Sequence, residues 1–141
     1  MNFNKLIWRN FLVFKVIVSD KETSYQVETE NDVNRQFIGL TIGDDFDGKL
    51  VGLEGYTLKI TGGSDKNGFP MRKDVAGQRR IRSLLSGGVG YKPKSRGTKR
   101  RKTVRGNMVS EDIVQINTII AKTGNEPLVN IFNSEKEEKE E

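Results

Sequence analysis

The residues best placed to do chemistry sit in one loop-like stretch, Gly43-Asp44-Asp45-Phe46-Asp47-Gly48-Lys49, where three aspartates fall within four positions. Clustered carboxylates hold divalent metals, and a Gly-rich segment ending in Lys can cradle phosphate. The seven residues fit the start of a phosphate-binding loop, but its eighth position must carry a Ser or Thr hydroxyl for magnesium, and Leu50 has none. Three carboxylates there would also repel phosphate. A calcium loop beginning at Asp45 fails as well, because Leu50 stands where the sharp-turn glycine belongs and Tyr56 where the bidentate Glu belongs. Asp44, Asp45 and Asp47 therefore read as turn formers between strands, with Gly43 and Gly48 supplying unusual backbone angles. They are also the only clustered carboxylates on which a nuclease-type metal site could be built, and nothing marks a separate acid and base for glycoside chemistry. With no Cys and no His in 141 residues, thiolate nucleophiles, imidazole bases and Cys- or His-based zinc sites are excluded. The chain reads as no enzyme, with no catalytic residue, no metal site, no cofactor and no small-molecule substrate.

Charge is the stronger signal. The formal net charge is +5, but from Lys66 to Arg105 fourteen Lys and Arg face a single acid, Asp74, while the remainder is net acidic. Within this region Tyr91 to Gly106 holds eight cations and no acid. Pro93, Gly97 and Gly106 oppose a continuous helix, and only Tyr91 and Val104 offer apolar area, so this basic arm is expected to be extended and disordered on its own. Against a polyanion the balance reverses, since each cation placed on a phosphate releases a counterion. A solvated charged face normally carries mixed signs; unbalanced cations beside Gly and Pro point to nucleic acid. The RNA-binding residues read from this pattern are Arg72, Lys73, Arg79, Arg80, Arg82, Lys92, Lys94, Arg96, Lys99, Arg100, Arg101, Lys102 and Arg105. Arg can bridge phosphate oxygens or stack on bases, whereas Lys acts as a mobile point charge. Upstream, Gly62-Gly63-Ser64-Asp65-Lys66-Asn67-Gly68-Phe69-Pro70-Met71-Arg72 reads as a structured loop, with Phe69 and Met71 pinning it to the core. An alternative is a free-standing regulatory barrel binding single-stranded RNA through stacking rings, for which Tyr25, Tyr56 and Phe69 are the candidates.

What must position these residues is mostly strand. Val and Ile number 23 against two Ala, a bias toward residues that pack on pleated surfaces. The expected strands are Leu12 to Val18, Ser24 to Glu28, Leu50 to Gly52 and Tyr56 to Thr61, where Tyr56, Leu58 and Ile60 alternate with Thr57, Lys59 and Thr61. Short helices are expected over Asn31 to Phe37 and Gln78 to Leu85, and the segment from Ile113 to Ile120 reads as strand. Fifteen Gly cluster where turns are needed. The fold class that follows is mainly β: a small, Gly-rich, β-barrel-like body with short helices and a basic extended arm, in one domain. The apolar stretch before Val18 is broken by Asn10 and by Lys5, Arg9 and Lys15, and so fits neither a membrane span nor a signal peptide. Ser134 to Glu141, SEKEEKEE, has no apolar group to bury and is expected to be solvated.

Two stretches, GLTIGDDFDGKLVGLEGYTLKITGGSDKNGFPMR from Gly39 to Arg72 and RGTKRRKTVRGNMVSEDIVQIN from Arg96 to Asn117, resemble the family of small-subunit ribosomal protein six of archaeal and eukaryotic ribosomes. The resemblance covers about Phe14 to Leu128. It implies a non-catalytic structural constituent of the small subunit in the cytoplasm, supporting translation, with small-subunit ribosomal RNA and neighbouring ribosomal proteins as partners and no membrane. The family's RNA-contacting stretch falls on Lys92, Lys94, Arg96, Lys99, Arg100, Arg101, Lys102 and Arg105. Eukaryotic members continue into a long basic helix with phosphorylated serines, whereas this chain runs into SEKEEKEE and so is similar to the archaeal form. On that comparison residues 1–13 form a leader, consistent with a start codon assigned early and an alternative start at Leu12 or Val13. Residues 14–128 form the ribosomal-protein domain, with the basic arm at 91–106, and 129–141 an acidic solvated tail.

Overall fold

The computed structural model describes residues 14–29 and 31–140. The expected leader lies outside them. Seven strands and two helices follow in order: β1 Phe14–Ser19, β2 Ser24–Thr29, α1 Asn31–Phe37, β3 Asp45–Asp47, β4 Thr57–Asp65, β5 Arg80–Leu85, β6 Arg100–Arg105, β7 Ile113–Lys122 and α2 Leu128–Glu140. Five of the strands make one curled sheet in the order β2-β1-β7-β4-β3, and β5 and β6 pair as a separate hairpin. All pairings are antiparallel except β1 with β7, which runs parallel from Lys15 opposite Gln115 to Ser19 opposite Ile119.

The alternation read at Tyr56, Leu58 and Ile60 has the consequence expected of it: all three are buried, as are Phe14, Val16 and Val18 on β1 and Ile113 and Ile116 on β7. These side chains and Phe37, Phe46 and Met71 form the main core, in which Phe37 meets both Phe14 and Phe46 edge-on. The curl of the sheet comes from β4. Its register against β7 shifts between Ile60 and Gly62 and again between Ser64 and Asp65, and such bulges bend a strand and increase its twist. Gly63 lets the bend happen, since a Cβ there would stand 2.3 Å from the Gln115 carbonyl oxygen. Asn31 to Phe37 is helical as read.

Four readings of local structure change. Gly62 to Asp65, read as the opening of a loop, is the last part of β4, because these residues pair with β7. Leu50 to Gly52 is not a strand: Gly48–Val51 forms a 3-10 turn, capped by Asp47 accepting from the Lys49 N–H and closed by Gly52 at φ 80°. Gln78 to Leu85 is not a helix. Ile81, Leu84 and Leu85 have helical spacing, but pairing with β6 makes the segment a strand and leaves Leu84 exposed. The basic arm is not a disordered extension either. Its second half is β6, and Val104 and Tyr91 join Leu85, Val75 and Ile81 in a second, smaller core. Counted within the arm alone the apolar area is too small to order it; β5 supplies the rest. At the other end, α2 sends Leu128 and Phe132 into the main core, Phe132 stacking flat on Tyr25 at 4.2 Å, while Asn133, Ser134 and Lys136 to Glu138 are exposed.

Candidate nucleic-acid interface

The hairpin leaves the body at a buried ion-pair centre that sequence reading missed. Asp65 ends β4 with its carboxylate fully enclosed. One oxygen accepts the backbone N–H groups of Asn67 and Phe69, both at 2.9 Å, and the other meets Arg80 Nε at 2.8 Å and an Arg105 terminal nitrogen at 3.7 Å. Arg105 also reaches Asp112 at 3.5 Å and donates to the Ser110 hydroxyl at 2.6 Å. Arg80 lies opposite Arg105 in the β5–β6 register, so the base of the hairpin clamps one carboxylate between two guanidinium groups. Arg80 in addition covers the Phe69 ring at 5.2 Å. Burial pushes the Asp65 carboxyl up, but the Phe69 and Asn67 amides and Arg80 outweigh it and hold it below the ordinary aspartate range. A carboxylate with a depressed folded pKa stabilises fully above its unfolded value, about 3.9, and that stability is lost as pH falls through the folded value. The protection of the Asn67 and Phe69 amides, relative to their intrinsic exchange rates, is therefore expected to fall below about pH 4 ahead of that of the β1 and β7 amides; NMR exchange on an acid titration measures it.

Ion pairing divides the thirteen cations into three that are held within the protein and ten that are not. Arg80 and Arg105 hold the base, and Arg105, although it belongs to the cationic run, is turned inward with its side chain 6% exposed. Arg72 pairs with Asp74 at 3.0 Å and donates to the Val89 carbonyl at 2.8 Å, tying down the loop between the hairpin strands. The other ten, Lys73, Arg79, Arg82, Lys92, Lys94, Arg96, Lys99, Arg100, Arg101 and Lys102, are exposed and make no ion pair among the described residues. Strand alternation spreads them over both faces: Arg82 shares one face with Arg101, and Arg100 and Lys102 share the other with Val104. The loop at 86–99 is itself folded. Tyr91 is buried with its hydroxyl on the Thr98 carbonyl at 3.4 Å, the Ser95 and Thr98 hydroxyls bond at 2.7 Å, and Gly88, Gly90 and Gly97 take positive φ. The arrangement offers cations to a polyanion on a shaped support, with the like charges held apart by backbone hydrogen bonds.

Two members of the aspartate cluster, Asp44 and Asp47, serve turns, and Asp45 is a strand residue. Asp44 accepts from the Thr41 N–H and hydroxyl, Asp45 and Asp47 sit on β3, and Asp47 caps the 3-10 turn. Gly43 has φ 99° as expected, but Gly48 is required for another reason: a Cβ there would lie 2.5 Å from the Leu53 carbonyl oxygen. The three rings considered as a stacking platform are engaged elsewhere. Tyr25 is against Phe132, Tyr56 is buried with its hydroxyl donating to the Glu126 carbonyl, and Phe69 is under Arg80. Among the described residues no helix is long and apolar enough to cross a membrane.

A sequence model described as ribosomal protein S6e matches residues 14–133, which takes in the sheet, the hairpin and the start of α2. The chain belongs to the ribosomal protein S6e family. It is similar to the small ribosomal subunit protein eS6 of Methanothermobacter thermautotrophicus, at 60% identity over 126 residues covering 89% of this chain and 100% of the relative. It is 58% identical to that of Methanobrevibacter smithii over 130 residues, 92% of this chain and 100% of the relative. The Methanocaldococcus jannaschii protein of the same name is 46% identical over 129 residues, 90% of this chain and 96% of the relative. Membership of S6e makes the chain a ribosomal protein of the archaeal type, not an enzyme, and its mainly β architecture is the scaffold of that family member.

Proposed function

We propose that the chain is a structural constituent of the small ribosomal subunit in the cytoplasm, where it binds ribosomal RNA through the β5–β6 hairpin and its loop and so supports translation. The observation that carries this reading is the set of ten exposed cations without an ion pair, concentrated on one hairpin. Such a surface costs electrostatic self-repulsion and gains from counterion release on RNA. The relatives at 46–60% identity are by name small-subunit proteins, which agrees with that partner. Contacts made mainly to phosphate fix position without reading sequence, as a protein threaded among crowded RNA helices requires. The acidic remainder of the surface then faces neighbouring ribosomal proteins or solvent. The alternative of a free-standing single-stranded RNA barrel loses support because its three rings are engaged within the protein.

Removing residues 92–105 would take away β6, Val104 and the Asp65 clamp with the charge, so substitution is the cleaner test. In cells carrying Lys99→Glu with Arg101→Glu, lysates sedimented across a salt series should show the variant leaving the small-subunit peak at a markedly lower salt concentration than wild type. Cofractionation unchanged at every salt concentration would refute the hairpin's role in RNA binding.

A further inference from the structure

The cations of the hairpin do not form a uniform surface. Alternation along β6 puts Arg100 and Lys102 on the same face as Val104, the face that turns toward the 86–99 loop. That loop returns over them, and the two enclose a half-open cavity of about 440 Å3. Lys92, Lys94, Arg100 and Lys102 line it together with Ser95 and Thr98, whose hydroxyls bond each other, and no carboxylate contributes. Tyr91, buried in the second core, fixes one wall. Gly90 is part of the lining, and a Cβ there would stand 3.0 Å from Val104, so the wall is built against the hairpin core.

A concave site with four cations and two hydroxyls selects a ligand by shape as well as by charge. Paired RNA presents its phosphates on a convex ridge, which exposed cations such as Arg82 and Arg101 can meet but which cannot enter a recess. A nucleotide outside a helix can: its phosphate and sugar project, and its 2′-hydroxyl can exchange hydrogen bonds with Ser95 and Thr98. The cavity volume lies within the range of ligand pockets and so has room for one nucleotide.

We infer that the cavity between β6 and the 86–99 loop seats the phosphate and ribose of a single unpaired RNA nucleotide, so that the hairpin recognises a bulge or internal loop in the ribosomal RNA and not a continuous helix. This rests on the RNA-binding reading above and adds the structure of the target. The outer cations supply affinity for any RNA; the cavity supplies the preference.

Fluorescence anisotropy with two labelled two-stranded RNA duplexes tests it, one fully paired and one carrying a three-nucleotide bulge. Wild type is expected to bind the bulged RNA at least tenfold more tightly. Lys92→Gln with Lys94→Gln, and separately Ser95→Ala with Thr98→Ala, should reduce that ratio toward one, whereas Arg82→Gln with Arg101→Gln should weaken both RNAs by the same factor and keep the ratio. Circular dichroism and melting of each variant identify a folded protein. Equal affinity of wild type for the two RNAs, or a preference that survives the cavity substitutions in folded protein, overturns the inference while leaving the RNA-binding reading intact. No binding of either RNA overturns both.

Discussion

A sixfold variant, Lys92→Gln, Lys94→Gln, Lys99→Gln, Arg100→Gln, Arg101→Gln and Lys102→Gln, is expected to lose about 10³–10⁴-fold in affinity for small-subunit ribosomal RNA at about 0.1 M salt. Each phosphate contact contributes about 0.7–0.9 to the slope of log K against log salt, so the slope should also flatten by about four to five. The two readouts separate electrostatic loss from misfolding. Every one of the six side chains is exposed and without an ion pair among the described residues, and none belongs to either apolar core. The melting temperature should therefore hold or rise slightly as like charges are removed. Filter binding across a salt series, beside a thermal melt, measures both; a slope unchanged from wild type would mean that these side chains do not meet phosphate.

The largest effect on stability is expected at Asp65. Asp65→Ala removes the carboxylate that Arg80 and Arg105 share and leaves Arg105, 6% exposed, with the half-exposed Asp112 as its one charged partner among the described residues, beside the Ser110 hydroxyl. Arg105 Nε already lacks a hydrogen-bond partner, so the site has little capacity to adapt. Breaking a buried pair from one side costs about 3–5 kcal/mol, which in a protein of this size lowers the melting temperature by about 10–20 °C. The loss of the two Asx-type bonds to Asn67 and Phe69 falls in the same place. Calorimetry measures the shift, and Asp65→Ala should also abolish the acid-sensitive step in the Asn67 and Phe69 amides. A drop below about 1 kcal/mol would show that Asp65 is not what joins the hairpin to the sheet.

How far the sequence disclosed this arrangement depended on whether the relevant contacts were local. Tyr56, Leu58 and Ile60 announce β4 because burial on one face of a strand has a period of two. The Asp44-Asp45-Asp47 cluster could be dismissed as a metal or phosphate loop because each motif demands a residue that Leu50 or Tyr56 is not. The hairpin could not be read in the same way. On β6 the alternation that should mark a strand is occupied by Arg100 and Lys102, and its apolar partners, Ile81 and Leu85, lie some twenty positions upstream in a segment whose own spacing imitates a helix. The cation run pointed to the hairpin and its loop, yet it treated Arg105 as equivalent to Arg101. What separates them is Asp65 at one border of the basic region and Asp112 beyond the other: isolated acids flanking a cationic run are the signal by which an inward-turned Arg could have been suspected. The role of Ser95 and Thr98 had no signal in the sequence, because it exists only once the loop closes over β6.

The parallel pairing of β1 with β7 bears on how the protein comes into being. The strand at the centre of the five-stranded sheet, hydrogen-bonded to β1 on one side and β4 on the other, is β7, the last strand to leave the ribosome's own exit tunnel. Until Ile113–Lys122 emerges, no strand joins the β1–β2 pair to the β3–β4 pair, and a loop of about a hundred residues between β1 and β7 must then close. The β5–β6 hairpin, whose contacts are close in the chain, can form earlier. A newly made chain thus displays its cationic limb before its body has closed, and the nearest abundant polyanion at that moment is the machine that is making it.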